Sequence, residues 1–328
     1  MLFEDRHLPG GLVLGLFRPE DAPGIVECYR NVHGDSFPVP DVYDAAAIIA
    51  HNSGDRCYTL VVRTPEGRVV GLAALHLVEQ HRRVFEARQL MVAKDYRRRN
   101  LAKILNDANI GELPALLDAG AVFSELVCNT PASQKLVAQH GLHPTGLELE
   151  CLPSPEGSKV SLLYMYKIFR DAPQTLYLPE RYTPFVEDCT ACLGVERVFD
   201  SGLRPGCGPS ALAAEPVPIA GLLRLRVRHC GADFTRLIDE FSAEAPNRIL
   251  QVQLDLADPA VPWATELLRQ RGFFLGAYLP LWYGTDALML QRLPWKPEPA
   301  AIALIPGAAR QVLEQLLADK DGPPRRLA

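Results

Sequence analysis

The apolar positions of this chain switch between two periods, and the switches mark its elements. Residues 12–17 are a short apolar run suited to a first strand. Pro19-Glu20-Asp21 opens a helix with Ile25, Val26 and Tyr29 on one face. Residues 31–40 read as a loop, and Asp41 is placed to cap a second helix carrying Val42, Ala46 and Ile49. Residues 57–63 and 68–78 read as two strands of a hairpin joined by Thr64-Pro65-Glu66-Gly67. Residues 84–92 form a further strand, interrupted by Glu86, Arg88 and Gln89. Helical spacing resumes at Leu101, Ile104 and Leu105 and runs to about residue 119, with Pro114 expected to break or kink it. A strand over 122–128, a helix over 130–139 closed by Gly141, and strands over 146–152 and 160–169 follow.

The second half partly repeats the first. Residues 136–142, LVAQHGL, and 267–273, LLRQRGF, each end a helix and precede strand-like sequence. Residues 222–229 and 250–256 read as strands around a helix over 233–241; 274–283 and 286–293 read as closing strands. Proline-rich residues 171–182 and 202–220 are the expected joints. Residues 308–317 predict a terminal helix with Val312, Leu313 and Leu316 on one face, and residues 322–328 a disordered tail. The pattern predicts an α/β protein with a mixed sheet (α+β) in two domains.

Composition narrows the function classes. The chain has 328 residues, 48% hydrophobic and 22% charged, with a net charge of −5. That composition supports a real core and argues against a general nucleic-acid binder. No apolar run reaches membrane-spanning length, and no signal peptide opens the chain, so a cytoplasmic protein without membrane association is expected. Eight cysteines in a chain this long are not a disulfide framework. Cys189 and Cys192 form a lone CxxC in helical sequence and are expected to be structural thiols; no metal is expected. The glycine-rich run 204–209 follows no clear strand and reads as linker.

The strongest chemical signal lies between the strand 84–92 and the helix beginning at Leu101. Arg97, Arg98 and Arg99 stand there in a row, followed by Asn100. The first amides of a helix lack intrahelical partners and sit at its positive end, so an anion is favoured there, and flanking guanidiniums reinforce it. Asn100 is a suitable N-cap and also tolerates the left-handed conformation. A solvated arginine cluster ahead of a surface helix is the competing reading.

Arg97-x-x-Asn100-x-Ala102, following a strand that ends Leu90-Met91-Val92, resembles the acyl-CoA pyrophosphate motif of the GCN5-related N-acetyltransferases (GNAT), with Asn in place of the central Gly. The order strand, two helices, three strands, helix, strand, helix, two strands is also similar to that family. The second half resembles a shortened, degenerate copy, giving residues 1–172 as the acyltransferase domain, 173–300 as the copy and 301–328 as helix and tail. Its turn, Cys230-Gly231-Ala232-Asp233, is not basic. The tandem resembles a bacterial subgroup found alone or fused to an anti-sigma-type ATPase domain, through residues 28–38, 133–141, 146–153, 178–181, 272–280 and 286–291.

The resemblance implies acyl transfer from acetyl-CoA or another acyl-CoA to a small-molecule amine, by direct attack on the thioester. It implies that Leu90, Met91 and Val92 align the donor, that residues 97–103 (Arg97, Arg98, Arg99, Asn100, Leu101, Ala102, Lys103) meet its pyrophosphate, and that Ser133 touches it. It also implies that the strand 84–92 splays from its neighbour 122–128. A neutral amine is needed, so a base must take its proton. Glu86 is the first candidate, four residues before Leu90 and on the same face if the strand is unbulged, and His76 the second. The bland reading of Glu86 is a half-exposed glutamate paired with Arg88 or His76. Tyr29, Arg30, His33 and Asp35 precede or occupy the loop that forms the family's acceptor pocket. The helix position where the family carries a tyrosine acid aligns with Val137, and Cys128 has no His–Asp pair at recognisable spacing. Two alternatives stay open: a non-catalytic acyl-CoA-binding or regulatory protein, and an acyl carrier protein as donor and partner. A homodimer is compatible with either.

Overall fold

The computed structural model describes residues 2–153 and 159–322. They form a mixed α/β fold, as the sequence predicts. The chain groups into two units, Met1–Glu125 with Leu136–Gly141, and Leu126–Lys135 with Leu142–Ala328.

In the first unit, β1 (Arg6–His7), β2 (Val13–Leu16), β3 (Cys57–Arg63), β4 (Val69–Glu79), β5 (Val84–Val92) and β6 (Ala121–Val127) lie in that order in one sheet. Each neighbouring pair is antiparallel except β5 with β6, which is parallel. Between β2 and β3 run α1 (Ala22–His33), which buries Ile25, Val26 and Tyr29, and α2 (Ala45–Asn52). The helix start is tied to β3 by the buried ion pair Asp21–Arg63 at 2.6 Å. Asp44, not Asp41, caps α2: its extended backbone aims a carboxylate oxygen at the Ala46 amide, 2.8 Å away, whereas Asp41 sits inside a short 3-10 turn.

After β5 the chain turns into α3 (Leu101–Asn106), widens to a π-helical turn over Asp107–Glu112, and resumes as α4 (Leu113–Leu116). The expected break at Pro114 therefore comes earlier, and Pro114 takes a first-turn position, where a missing N–H costs nothing. Leu101 and Leu105 are buried, and α3 approaches β4 closely at Gly71. A Cβ on Gly71 would stand 3.0 Å from Leu105 Cδ1 and 3.2 Å from the Met91 carbonyl oxygen.

Past α5 (Ala132–Ala138), the second unit holds β7 (His143–Pro153), β8 (Lys159–Ile168), β9 (Gln174–Tyr177), α6 (Thr183–Leu193), β10 (Arg197–Asp200), β11 (Ala211–Val217), β12 (Leu222–His229), α7 (Phe234–Glu244), β13 (Ile249–Asp255), α8 (Val261–Gln270), β14 (Phe274–Leu279), β15 (Ala287–Arg292) and α9 (Ala308–Asp321). Its main strands run in the order β8, β7, β14, β15, β13, β12, β11. The two proline-rich stretches are not bare joints: β9 pairs in parallel with β10, and β11 pairs with β12.

The two related heptapeptides end alike in the backbone. The helices ending in the two related heptapeptides both exit through a left-handed glycine, Gly141 at φ 74° and Gly272 at φ 81°. The strands that follow meet each other, Gly146 opposite Ala277. A Cβ on Gly146 would lie 2.1 Å from that of Ala277, so this approach requires glycine. In this grouping the β7–β8 hairpin goes with the C-terminal strands it pairs with, and the division falls within β6 and α5 instead of near residue 172. As expected, α9 buries Val312, Leu313 and Leu316; residues 323–328 of the expected tail lie outside the described residues.

Candidate functional site

The site begins where β5 leaves β6. Their register is Val84 with Ala121, Phe85 with Val122 and Glu86 with Phe123, and it stops there. Beyond it, Ser124 donates its hydroxyl to the Ala87 carbonyl at 3.0 Å. On its other edge, β5 stays paired with β4, through a bulge: Ala74 faces Arg88, but Leu72 faces Met91. Gln89 takes the extra position at φ 61°. The condition that would align Glu86 with Leu90 on one face, an unbulged strand, is thus not met. Met91 and Val92 are buried and Leu90 is partly buried against the same core.

The basic turn follows and is stitched to its surroundings. The Lys94 amide donates to Asn31 Oδ1 on α1 at 2.7 Å, and Arg68 pairs with Asp95 at 2.8 Å. Arg99 stacks over Tyr96 at 4.6 Å, and Arg97 Nε reaches the Val92 carbonyl at 3.4 Å. All three arginines are exposed. Arg98 and Asn100 are both left-handed, at φ 61° and 63°. Asn100 makes no side-chain cap bond, so of the two roles open to it the backbone one is realised. Among the described residues, the first helical bond is Ile104 N to Asn100 O at 3.1 Å, and no acceptor is found for the amides of residues 99–103. Five backbone donors without an acceptor among the described residues, beside three exposed guanidiniums, are an arrangement that can receive a polyanion.

In the second unit a parallel strand pair is likewise followed by a turn into a helix, and the turn differs. β12 and β13 stay paired in parallel over six positions, from Leu222 with Ile249 to Val227 with Leu254. The amides after β12 are satisfied by the chain itself. Cys230 N donates to Asp258 at 2.6 Å, Gly231 N to Ser210 Oγ at 2.9 Å and Ala232 N to the Gly208 carbonyl at 2.8 Å. The glycine-rich linker thus fills that turn. A Cβ on Gly231 would meet the Pro209 backbone at 2.4 Å. Composition identified residues 204–209 as linker; its plugging role depends on a contact more than twenty residues distant and carries no local signal.

The catalytic candidates sit together on the first sheet. Cys57 faces His76 across β3 and β4, and His76 faces Glu86 across β4 and β5. Glu86 is partly exposed and lies 3.6 Å from Arg88, the pairing that its bland reading names. His76 is pushed down to about 4, by desolvation first and then by Arg88 and His51, so it is a neutral and weak base near pH 7. His51, absent from the sequence-derived candidates, stacks on His76 with centroids 5.3 Å apart, and its Nε2 accepts a 2.9 Å bond from Arg88 Nη2. Its signal would have been its place on the last turn of α2.

Of the acceptor-side candidates, Tyr29 lies on the helix before the loop, as expected. It is 1% exposed on α1, packed against Phe37 at 5.2 Å, and burial pushes its hydroxyl pKa up. Arg30 is exposed, paired with Asp35 at 3.2 Å. His33 is held below its usual range by desolvation and by Arg97 and Lys94, which places it beside the basic turn. Ser133 lies on α5 in the segment grouped with the second unit, its hydroxyl buried without a partner among the described residues. Val137 is core, with no acid in the tyrosine's place. Cys128 is buried and its thiol is pushed up to about 12, which removes it as a nucleophile. Cys189 is buried and Cys192 exposed on α6.

Residues 24–142 match the Acetyltransferase (GNAT) family. No match is found among curated proteins. Solved structures with a similar fold include the ribosomal-protein-S5-alanine acetyltransferase of Vibrio fischeri, at 13% identity and a TM-score of 0.44, covering 51% of this chain and 98% of that one. The spermidine N-acetyltransferase of Vibrio cholerae, in a dodecameric structure, is similar at 16% identity and a TM-score of 0.41, covering 48% and 94%. A GNAT-family acetyltransferase of Streptococcus pneumoniae is similar at 18% identity and 0.41, covering 48% and 99%.

Proposed function

We propose that this chain transfers an acyl group, most simply acetyl, from an acyl-CoA donor to the amine of a small molecule. The family match over residues 24–142 supports an acetyltransferase enzyme, and GNAT acetyltransferases use acetyl-CoA as donor. One observation carries the reading: β5 parts from β6 after Glu86 and runs into a turn whose five amides, residues 99–103, have no acceptor among the described residues. The residues fit a coenzyme pyrophosphate, because the left-handed Arg98 and Asn100 free those amides and the three arginines supply the countercharge. Leu90, Met91 and Val92 would line the donor's pantetheine arm, with Ser133 a further contact, and the bound donor would supply the thioester carbonyl. Glu86 would take the amine's proton; His76 is the poorer base because its pKa is so low. Arg30 and His33 would flank the acceptor, and Tyr29 would support them from the core.

The organisation we favour is tandem: an acyltransferase domain over 1–172, a degenerate copy over 173–300, and a helix and tail over 301–328. The copy's filled turn and its unsplayed strands support loss of the coenzyme site there. A cytoplasmic protein is favoured; no helix of the described residues is long and apolar enough to cross a membrane. A specific observation supports a second reading, a non-catalytic acyl-CoA binder: Val137 is buried where the family's acid would stand. An acyl carrier protein would also suit the exposed arginines, and a homodimer is compatible with either.

Calorimetric titration of CoA and acetyl-CoA into wild type and the Arg98→Glu/Arg99→Glu double variant tests the donor site. Binding lost in the variant supports it; equal affinity in both sinks it. A free-thiol release assay across an amine panel then separates catalysis from binding alone.

A further inference from the structure

The first unit holds a second constellation, which shares His76 with the candidate acyl-transfer site and adds His51 and Cys57. His51 on the last turn of α2, Cys57 at the start of β3 and His76 on β4 bring one ligand atom each within 4.8 Å of one another. Strand register makes part of this obligatory, because Cys57 and His76 are direct cross-strand neighbours. Helix packing adds the third, laying the His51 ring over that of His76 with their planes 13° apart.

We propose that His51, Cys57 and His76 form a binding site for a zinc-class divalent transition metal. The donor set decides the class. Two imidazoles and a thiolate suit Zn²⁺, Co²⁺ or Ni²⁺ and not Mg²⁺ or Ca²⁺, which take oxygen ligands. His76 Nδ1 is a buried nitrogen with no hydrogen-bond partner among the described residues, a vacancy that a metal would fill. Tetrahedral zinc sets donor atoms roughly 3.3–3.8 Å apart, so the three close by about 1 Å through side-chain rotation.

The groups facing the site make it conditional on Arg88. Its Nη2 lies 2.9 Å from His51 Nε2, and its guanidinium is also 3.6 Å from Glu86. Metal entry requires Arg88 to leave His51 and close on Glu86, whose carboxylate stands next to His76 in the same cross-strand row. The buried Cys57 thiol, now bonded to Thr59 at 3.7 Å, loses its proton as the metal–sulfur bond forms. One proton therefore leaves to solvent for each metal bound, and no electrons are exchanged. Three protein ligands leave a fourth position open. The proposal does not rest on the acyltransferase reading.

Cobalt titration of the reduced full-length chain, followed by absorption, tests it. The expected result is a thiolate-to-cobalt charge-transfer band together with intense visible bands of a four-coordinate site, saturating at one metal per chain. Cys57→Ser should lose the charge-transfer band. His51→Gln, at an exposed position that leaves the fold intact, should weaken cobalt binding by at least about tenfold. The idea is overturned if wild type shows no such band. It is equally overturned if Cys57→Ser keeps the band, which would assign the metal to the exposed Cys192 or Cys207, or if His51→Gln binds cobalt as wild type does.

Discussion

Asn100 offers the sharpest test of how the basic turn works. Its φ of 63° lies in the left-handed region, and its side chain makes no cap bond. The residue therefore matters through backbone conformation and not through its amide group. An ordinary L-residue pays roughly 1–2 kcal/mol to stand there, Asn pays less, and Gly pays nothing. Asn100→Val adds a β-branched side chain, so the turn should be disfavoured by about 1–2 kcal/mol, equivalent to roughly 5–30-fold in its population. In the proposed donor site, the amides of residues 99–103 serve one ligand only while the turn holds. CoA affinity in Asn100→Val should then fall by about tenfold, with a comparable loss of stability in urea unfolding. Asn100→Gly should keep both within a few tenths of a kcal/mol. Calorimetry on the three proteins decides the matter. Unchanged CoA binding by the valine variant would refute the claim that left-handed backbone at Asn100 shapes the receptor.

Other expectations follow from the same geometry. Glu86→Gln should lower turnover by about 10²-fold or more in a thiol-release assay while leaving CoA affinity unchanged; equal turnover would remove Glu86 as the base. His76 is the pH-sensitive group: its folded pKa of about 4 lies below its ordinary 6.5, so the unfolded chain binds more protons between those values. Its contribution to stability is complete above about pH 6.5 and is lost as pH falls toward 4, and His76→Gln should flatten the stability–pH curve in that window. A parallel curve for the variant would contradict the assignment. Cys128→Ser should retain transfer activity within about twofold in steady-state kinetics, because a thiol held near 12 is not a nucleophile at neutral pH.

Much of this protein can be read along the chain. Apolar runs bounded by polar turns placed β3 and β5, and alternation placed β12, at their observed bounds, because a buried strand and a strand with one buried face each leave a local mark in the sequence. The run of three arginines and the left-handed tolerance of Asn100 marked the exposed basic turn, since charge and left-handed tolerance are local properties. Features that depend on which segments meet were out of reach. The bulge at Gln89 arises from pairing β5 against β4, and it broke the simple face relation between Glu86 and Leu90. Asp44 took the cap from Asp41 because only one of them stands extended at the helix start. The filling of the turn after β12 by Gly208 and Ser210, and the meeting of His51 with Cys57 and His76, join residues that no sequence period relates. Local patterning determined the elements and the basic turn of this chain; long-range strand pairing and loop closure decided which turn stays open and which side chains share a face.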